Sequence, residues 1–176
     1  FCPQNSATVI VASSGYYTSP LESDSSKRSN QIQCEAGFAC VGGVRAACSA
    51  GSHSDPGSST CDVCKVCSAG QRVSSTCTTT SDTDCASCDA GKYGDGLTCA
   101  DCGVGTYSSA AAAYCTTVPA GYKTNTEKTS ATMCPANHFS TGATDTCSPC
   151  TSGHSIPGSS SCVSMPPGHY WNGSSD

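Results

Sequence analysis

A chain of 176 residues with 17 cysteines, 12% charged residues and 6% aromatics is not expected to fold around one large apolar core; about one cysteine in ten residues is the composition of a disulfide scaffold. Its net charge of −5, carried without a basic cluster, argues against nucleic acid or an anionic membrane surface as partner. No run approaches the roughly 18 apolar residues of a membrane helix, so no membrane insertion is expected in this segment, and because disulfides persist in oxidising compartments the expected location is extracellular or the cell surface.

In chain order, residues 1–33 read as a degenerate, cysteine-poor repeat. The most apolar stretch, SATVIVASSGYY at residues 6–17, is short and polar at its ends. Phe1 is not an initiator methionine, which leads us to expect a processed product or a fragment of a longer protein. Ala12 takes the position of a repeat start, with Gly15 three residues on, and residues 21–30 read as a long exposed loop. Residues 34–47 form a short unit, 48–87 a six-cysteine module, 88–164 a run of short tandem repeats, and 165–176 the start of a further repeat.

The tandem run shows the rule most plainly. Repeats start at Cys88, Cys102, Val118, Cys134, Cys150 and Met165, and their loops close at Cys99, Cys115, Ala131, Cys147 and Cys162. Val118 and Ala131 stand at the opening and closing positions of one unit. A joint loss of both cysteines is what a disulfide predicts, since one orphan thiol is worse than none. The repeat therefore implies the bridges Cys88–Cys99, Cys102–Cys115, Cys134–Cys147 and Cys150–Cys162. Closing a loop of about a dozen residues is worth about 3 kcal/mol in chain entropy, so 118–131, lacking its disulfide, is expected to be a weak point or hinge.

Three residues after each start comes a glycine: Gly37, Gly51, Gly70, Gly91, Gly105, Gly121, Gly153 and Gly168. Asn137 is the one departure. Asparagine is the residue next best suited to positive φ, so the position is expected to be a left-handed turn. One or two residues later stands a ring, at Phe38, His53, Tyr93, Tyr107, Tyr122, Phe139, His154 and Tyr170, and these rings are expected to form a stacked spine.

The segments 48–61 (CSAGSHSDPGSSTC), 102–115 (CGVGTYSSAAAAYC) and 134–147 (CPANHFSTGATDTC) share this pattern, and they resemble the cysteine-rich repeats of ephrin-type receptors and of large extracellular protist surface or flagellar-hair proteins. Residues 48–85 resemble one complete cysteine-rich domain of the tumour necrosis factor receptor family, with its CxxCxxC centre and its Asp-Thr-x-Cys ending at Asp82 to Cys85. Six cysteines allow fifteen connectivities; the resemblance implies Cys48 with Cys61, Cys64 with Cys77 and Cys67 with Cys85. The glycine-aromatic segments before Cys40 and Cys2 resemble the GYYC-type units of the ephrin-receptor-like repeats. On that likeness Cys34 pairs with Cys40, and Cys2 is unpaired within this chain, its partner lying upstream of Phe1.

Several CxxC pairs invite a metal reading. A zinc site needs two such pairs converging on one ion, and an iron–sulfur cluster would need a fourth cysteine soon after Cys67, where Ser68 to Arg72 supply none. No βαβ pattern surrounds them to suggest redox catalysis. His53, His138, His154 and His169 fall near the ring position of their repeats and read as substitutes for Tyr or Phe. Without a Ser-His-Asp order or a GxSxG motif, no catalytic residue, no metal ligand and no cofactor is expected, and the chain is not expected to be an enzyme. Asp82, Asp84, Asp89, Asp95 and Asp101 gather around one joint and could host a weak calcium ion, but without an ordered ligand loop they read as a solvated acidic face. Asn172 opens an Asn-Gly-Ser glycosylation acceptor, and Ser and Thr make up about three residues in ten, so covalent glycans are expected partners.

The expected fold is small and disulfide-rich: an extended rod of tandem cysteine-rich repeats with short β-ribbons and loops and little helix. The expected function is a non-enzymatic structural segment of an extracellular filament or surface coat, mastigoneme-like, whose partners are copies of itself or other chains of the assembly. The alternative is the ligand-binding ectodomain of a cell-surface receptor. Low charge favours assembly over a steered protein ligand.

Overall fold

The computed structural model describes residues 10–19, 29–166 and Gly168; Cys2, Asn172, His169 and Tyr170 lie outside the described residues. It is strand-only, with sixteen short strands, no helix among the described residues and eight disulfides. The strands form antiparallel two-stranded ribbons, each joining neighbours in sequence. In order they are β1 (Tyr16–Ser19) with β2 (Asn30–Gln33), β3 (Phe38–Val41) with β4 (Val44–Ala47), β5 (Ser52–His53) with β6 (Asp62–Val63), and β7 (Gln71–Ser75) with β8 (Asp84–Ser87). Then follow β9 (Lys92–Gly94) with β10 (Cys99–Asp101), β11 (Thr106–Tyr107) with β12 (Thr116–Thr117), β13 (Tyr122–Thr124) with β14 (Ala131–Met133), and β15 (His138–Phe139) with β16 (Ser148–Pro149). Two compact units divide the chain: residues 10–66 with Ser74–Asp84, and Cys67–Val73 with the described residues from Cys85 on. The stretch 48–87 contributes to both.

A single turn starts each ribbon. Ser49 accepts a hydrogen bond from Ser52 N–H at 3.1 Å, Pro119 from Tyr122 at 3.2 Å and Pro135 from His138 at 3.2 Å. The third turn residue has φ of +81° at Gly51, +83° at Gly121 and +62° at Asn137, where glycine, and next asparagine, bears the smallest steric cost. The left-handed position read from the sequence is therefore present, including its one asparagine.

That turn aims a carbonyl at the next repeat. In the first unit Cys34, Cys48 and Cys64 donate their N–H to Gly15, Gly37 and Gly51, each at 2.9 Å. In the second unit Cys88 donates to Gly70 at 3.0 Å, Cys102 to Gly91, Val118 to Gly105 and Cys134 to Gly121 at 2.9 Å, and Cys150 to Asn137 at 2.8 Å. Val118 makes the same bond as its cysteine neighbours. The rung belongs to the turn and not to the bridge.

The core follows this line. The buried apolar residues are almost all repeat starts: Cys34, Cys48, Cys67, Cys88, Cys102, Val118 and Cys134, joined by Cys40 and Tyr17. This corrects the expected spine of rings. Among the described residues Tyr17 alone of the aromatics is buried, while Phe38, Tyr107, Tyr122 and Phe139 are half-buried and Tyr93 is exposed. Near the first ribbons the Arg45 guanidinium, paired with Glu35 at 3.3 Å, covers the rings of Phe38 at 4.3 Å and Tyr17 at 5.3 Å. A cation over a ring face is favourable at about 0.5–1 kcal/mol where solvent reaches it.

The glycines also permit close approach. A Cβ on Gly121 would lie 2.0 Å from Gly158 O and one on Gly105 1.9 Å from Ala143 C, whereas one on Gly51 meets nothing within 4 Å. Gly51→Ala is expected to cost about 1 kcal/mol, the strain of positive φ alone, and Gly121→Ala roughly 3 kcal/mol or more. Amide exchange around each substituted turn, 48–64 for Gly51→Ala and 118–161 for Gly121→Ala, measures the difference; equal loss in both would contradict it.

Candidate functional site

All sixteen described cysteines are paired. Cys88–Cys99, Cys102–Cys115, Cys134–Cys147 and Cys150–Cys162 close the short repeats, Cys48–Cys61, Cys64–Cys77 and Cys67–Cys85 tie the six-cysteine stretch, and Cys34–Cys40 closes a loop of sequence separation 6. The partners are those the repeat and the resemblances assign. Cys2 and the acceptor Asn172 lie outside the described residues.

A second line of residues runs beside the cysteines, and sequence reasoning missed it. Six positions after most repeat starts, or five in the last, stands a small hydroxyl side chain: Thr18, Ser54, Ser108, Thr124, Ser140 and Ser155, all buried. Three of them donate to the carbonyl of the residue that follows the left-handed turn position of the preceding repeat, Ser54 Oγ to Phe38 at 2.8 Å, Ser108 Oγ to Lys92 at 2.7 Å and Ser155 Oγ to His138 at 2.8 Å. Their own carbonyls accept from the turn, as Gly37 N–H to Ser54 at 3.0 Å and Asn137 N–H to Ser155 at 2.9 Å. Cys34–Cys40 fills the same slot with sulfur, since Cys40 stands six residues after Cys34. The periodic hydroxyl was visible in the sequence but hidden by the abundance of Ser and Thr.

The unit without a disulfide is where the polar chemistry concentrates. In the bridged repeats the loop tip donates a backbone N–H to the preceding repeat start but one: Ala111 to Cys88 at 2.8 Å, Gly158 to Cys134 at 2.9 Å. In 118–131 a side chain takes over. Lys128 Nζ donates to Cys102 O at 3.0 Å and Gly103 O at 2.9 Å, and pairs with Asp145 at 3.4 Å. Asp145 Oδ1 in turn accepts from Gly105 N–H and from Thr124 Oγ1, both at 2.7 Å. One carboxylate and one ammonium thus tie three successive repeats. Asn125 closes the loop from within, its Oδ1 accepting from Thr129 N–H at 2.8 Å and Ser130 N–H at 3.1 Å. Val118 itself is 1% exposed. The expected hinge is therefore held by charge-assisted bonds, which are stronger than neutral ones, in place of the missing bridge. Between these groups lies an open cleft of about 350 Å³ lined by Lys123, Thr124, Asn125, Glu127, Lys128 and Asp145.

Three of the five aspartates grouped as an acidic face, Asp82, Asp95 and Asp101, have separate partners. Asp95 Oδ1 accepts from Leu97 and Thr98 N–H at 2.8 and 2.7 Å, Asp101 pairs with Lys92, and Asp82 Oδ1 accepts from Lys65 N–H at 2.8 Å and Thr83 N–H at 2.7 Å. Each carboxyl is held below its usual range, Asp95 by the N–H groups of Thr98 and Leu97, Asp101 by the Lys92 ammonium, Asp82 by the N–H groups of Lys65 and Thr83. Asp145 is held down first by Gly105 N–H, then by the Thr124 hydroxyl and Lys128. His53 faces Asp82, and His138 Nδ1 lies 3.2 Å from the carbonyl of Ala136.

No protein-family model matches the chain, and no curated protein matches it. The disulfides close loops within repeats, and the hydroxyls and Asp145 bond from one repeat to another.

Two outcomes follow. A carboxylate with a lower pKa folded than unfolded favours the fold above its unfolded value, and that contribution is lost as pH falls through the folded one. Acidification below the usual carboxylate range is therefore expected to raise exchange in 118–131 before it does in 102–115, and Asp145→Asn is expected to abolish that pH dependence; uniform loosening of both loops would contradict it. Ser155→Ala, which leaves the His138 carbonyl buried without its donor, is expected to cost about 1–2 kcal/mol, read as a shift in the denaturation midpoint. Ser160→Ala, at an exposed serine, is expected to shift it little.

Proposed function

We propose that the chain is a non-enzymatic structural segment of an extracellular filament or cell-surface coat, mastigoneme-like, in which serial repeats form a rod that assembles laterally or end to end. The observation that carries this reading is the same N–H to turn-carbonyl bond at repeat start after repeat start, made whether or not a disulfide is present. A device repeated at each step without a distinct site suits a load-bearing or spacing element. Many disulfides in a small, strand-only chain are typical of secreted and extracellular proteins, which supports the extracellular placement. The resemblance to ephrin-receptor-like repeats and to one tumour necrosis factor receptor domain points the same way.

Exposed apolar side chains support assembly over solitary display. Val41, Val63 and Val66 in the first unit, and Leu97, Val104 and Tyr114 in the second, are each at least 64% exposed. Apolar area of this kind gains about 25 cal/mol per Å² on burial against a neighbour.

Negative-stain imaging and sedimentation of the purified native material are expected to show bundles or filaments whose population grows with concentration. Single dispersed rods at high concentration would overturn the proposal. Saturable one-to-one capture of a different extracellular protein would favour the ectodomain reading instead.

A further inference from the structure

Four side chains from separate parts of the first unit meet at one joint: His53, Cys64, Cys77 and Asp82, whose donor atoms lie within 4.8 Å of one another. In the closed chain Cys64 and Cys77 are bonded to each other, and the group is a disulfide beside an imidazole and a carboxylate. His53 marks it out. Its Nδ1 is buried with no hydrogen-bond partner, in a side chain only 16% exposed, 4.0 Å from Asp82 Oδ1. That oxygen already accepts two backbone N–H groups, so the imidazole is aimed at a carboxylate that does not bond it. A buried nitrogen left so destabilises the form that lacks a partner for it.

The bridge beside it is also open to attack. Both Cys64 and Cys77 are half-exposed, whereas Cys34–Cys40, Cys48–Cys61, Cys67–Cys85, Cys88–Cys99, Cys102–Cys115 and Cys134–Cys147 each bury at least one half. Thiol exchange depends on access to the sulfur. Cys150–Cys162 is half-exposed too, but among the described residues no comparable donor group surrounds it.

We propose that reduction of Cys64–Cys77 turns this joint into a zinc site with two thiolates, the His53 imidazole and the Asp82 carboxylate as ligands. A dithiol reductant supplies two electrons and two protons: the S–S bond breaks, two thiols form, and the reductant closes to its own disulfide. Zinc then takes both sulfurs as thiolates, and the two thiol protons leave to solvent. Zn²⁺ accepts this mixed sulfur, nitrogen and oxygen set in tetrahedral array. The sulfurs need part only to about 3.8 Å, the edge of a tetrahedron with bonds of about 2.3 Å, and the Cα atoms already stand 6.1 Å apart. The ion satisfies the stranded His53 nitrogen and holds the two loops where the covalent link held them. The joint is thus a closure with two chemical forms, disulfide in an oxidising medium and zinc after reduction.

The test uses the full chain. Limiting dithiothreitol is followed by rapid desalting, and one portion is alkylated and mapped by peptide mass spectrometry while another is titrated with Co²⁺ and then Zn²⁺. Cys64 and Cys77 are expected to be the first pair labelled. The opened chain is expected to bind one Co²⁺ with thiolate charge-transfer and tetrahedral d–d bands, displaced by Zn²⁺ and abolished by prior alkylation. His53→Gln and Asp82→Asn are each expected to weaken zinc at least about tenfold while the other seven bridges map unchanged. A different bridge opening first, an opened chain without the tetrahedral cobalt spectrum, or a His53→Gln variant that binds zinc as tightly would each overturn the proposal. The wild-type arm decides by itself if a variant does not form its other bridges.

Discussion

The recurring hydrogen bond from a cysteine or Val118 to the carbonyl of the preceding left-handed turn, made by Cys64 and not Cys67 in the six-cysteine stretch, orders the rest of the chain. A positive φ at the third turn residue rotates that carbonyl out of its own ribbon and towards the next start, as Gly121 does for Cys134 and Asn137 for Cys150. Six of the eight rung donors, Cys34, Cys48, Cys88, Cys102, Val118 and Cys134, are buried, while Cys64 and Cys150 are half-buried and, Tyr17 apart, the described rings are not buried. The disulfide is attached to a position that the backbone has already chosen.

Closure of the loop behind each rung is then a problem with several chemical solutions. Cys134–Cys147 solves it covalently, Cys34–Cys40 does so with a shorter loop that also fills the hydroxyl slot, and 118–131 uses Lys128 and Asp145. The solutions differ in what undoes them. A bridge yields to reductant, a carboxylate–ammonium tie to acid and salt. A scaffold that mixes them does not lose every closure to one change of condition.

The sequence displays whatever recurs with a rare residue. Cysteine and glycine spacing sufficed to place the turns, their handedness at Asn137 and the local bridges, because few alternatives satisfy both spacings. The six-cysteine stretch needed a family likeness, since spacing leaves its connectivity open. The buried hydroxyls were not legible: Ser54, Ser108 and Ser155 have the same residue type as many solvent-facing neighbours. The role of Lys128 and Asp145 was hidden for another reason, as seventeen residues separate them and each looks like an ordinary surface charge. The spine of rings failed because a ribbon of two or three residues a strand buries its start and its hydroxyl slot first, leaving the ring at the rim.

The central claim is that the turn carbonyl, and not the bridge, holds each repeat start in place. The amide of Val118 decides it, because Val118 alone among the starts from Cys88 to Cys150 has the rung without the sulfur. Native-state hydrogen exchange at neutral pH, resolved to single amides, is expected to show Val118 protected to the same order as Cys102 and Cys134. Fast exchange at Val118 between two slowly exchanging cysteines would show that the disulfides carry the order and contradict the account.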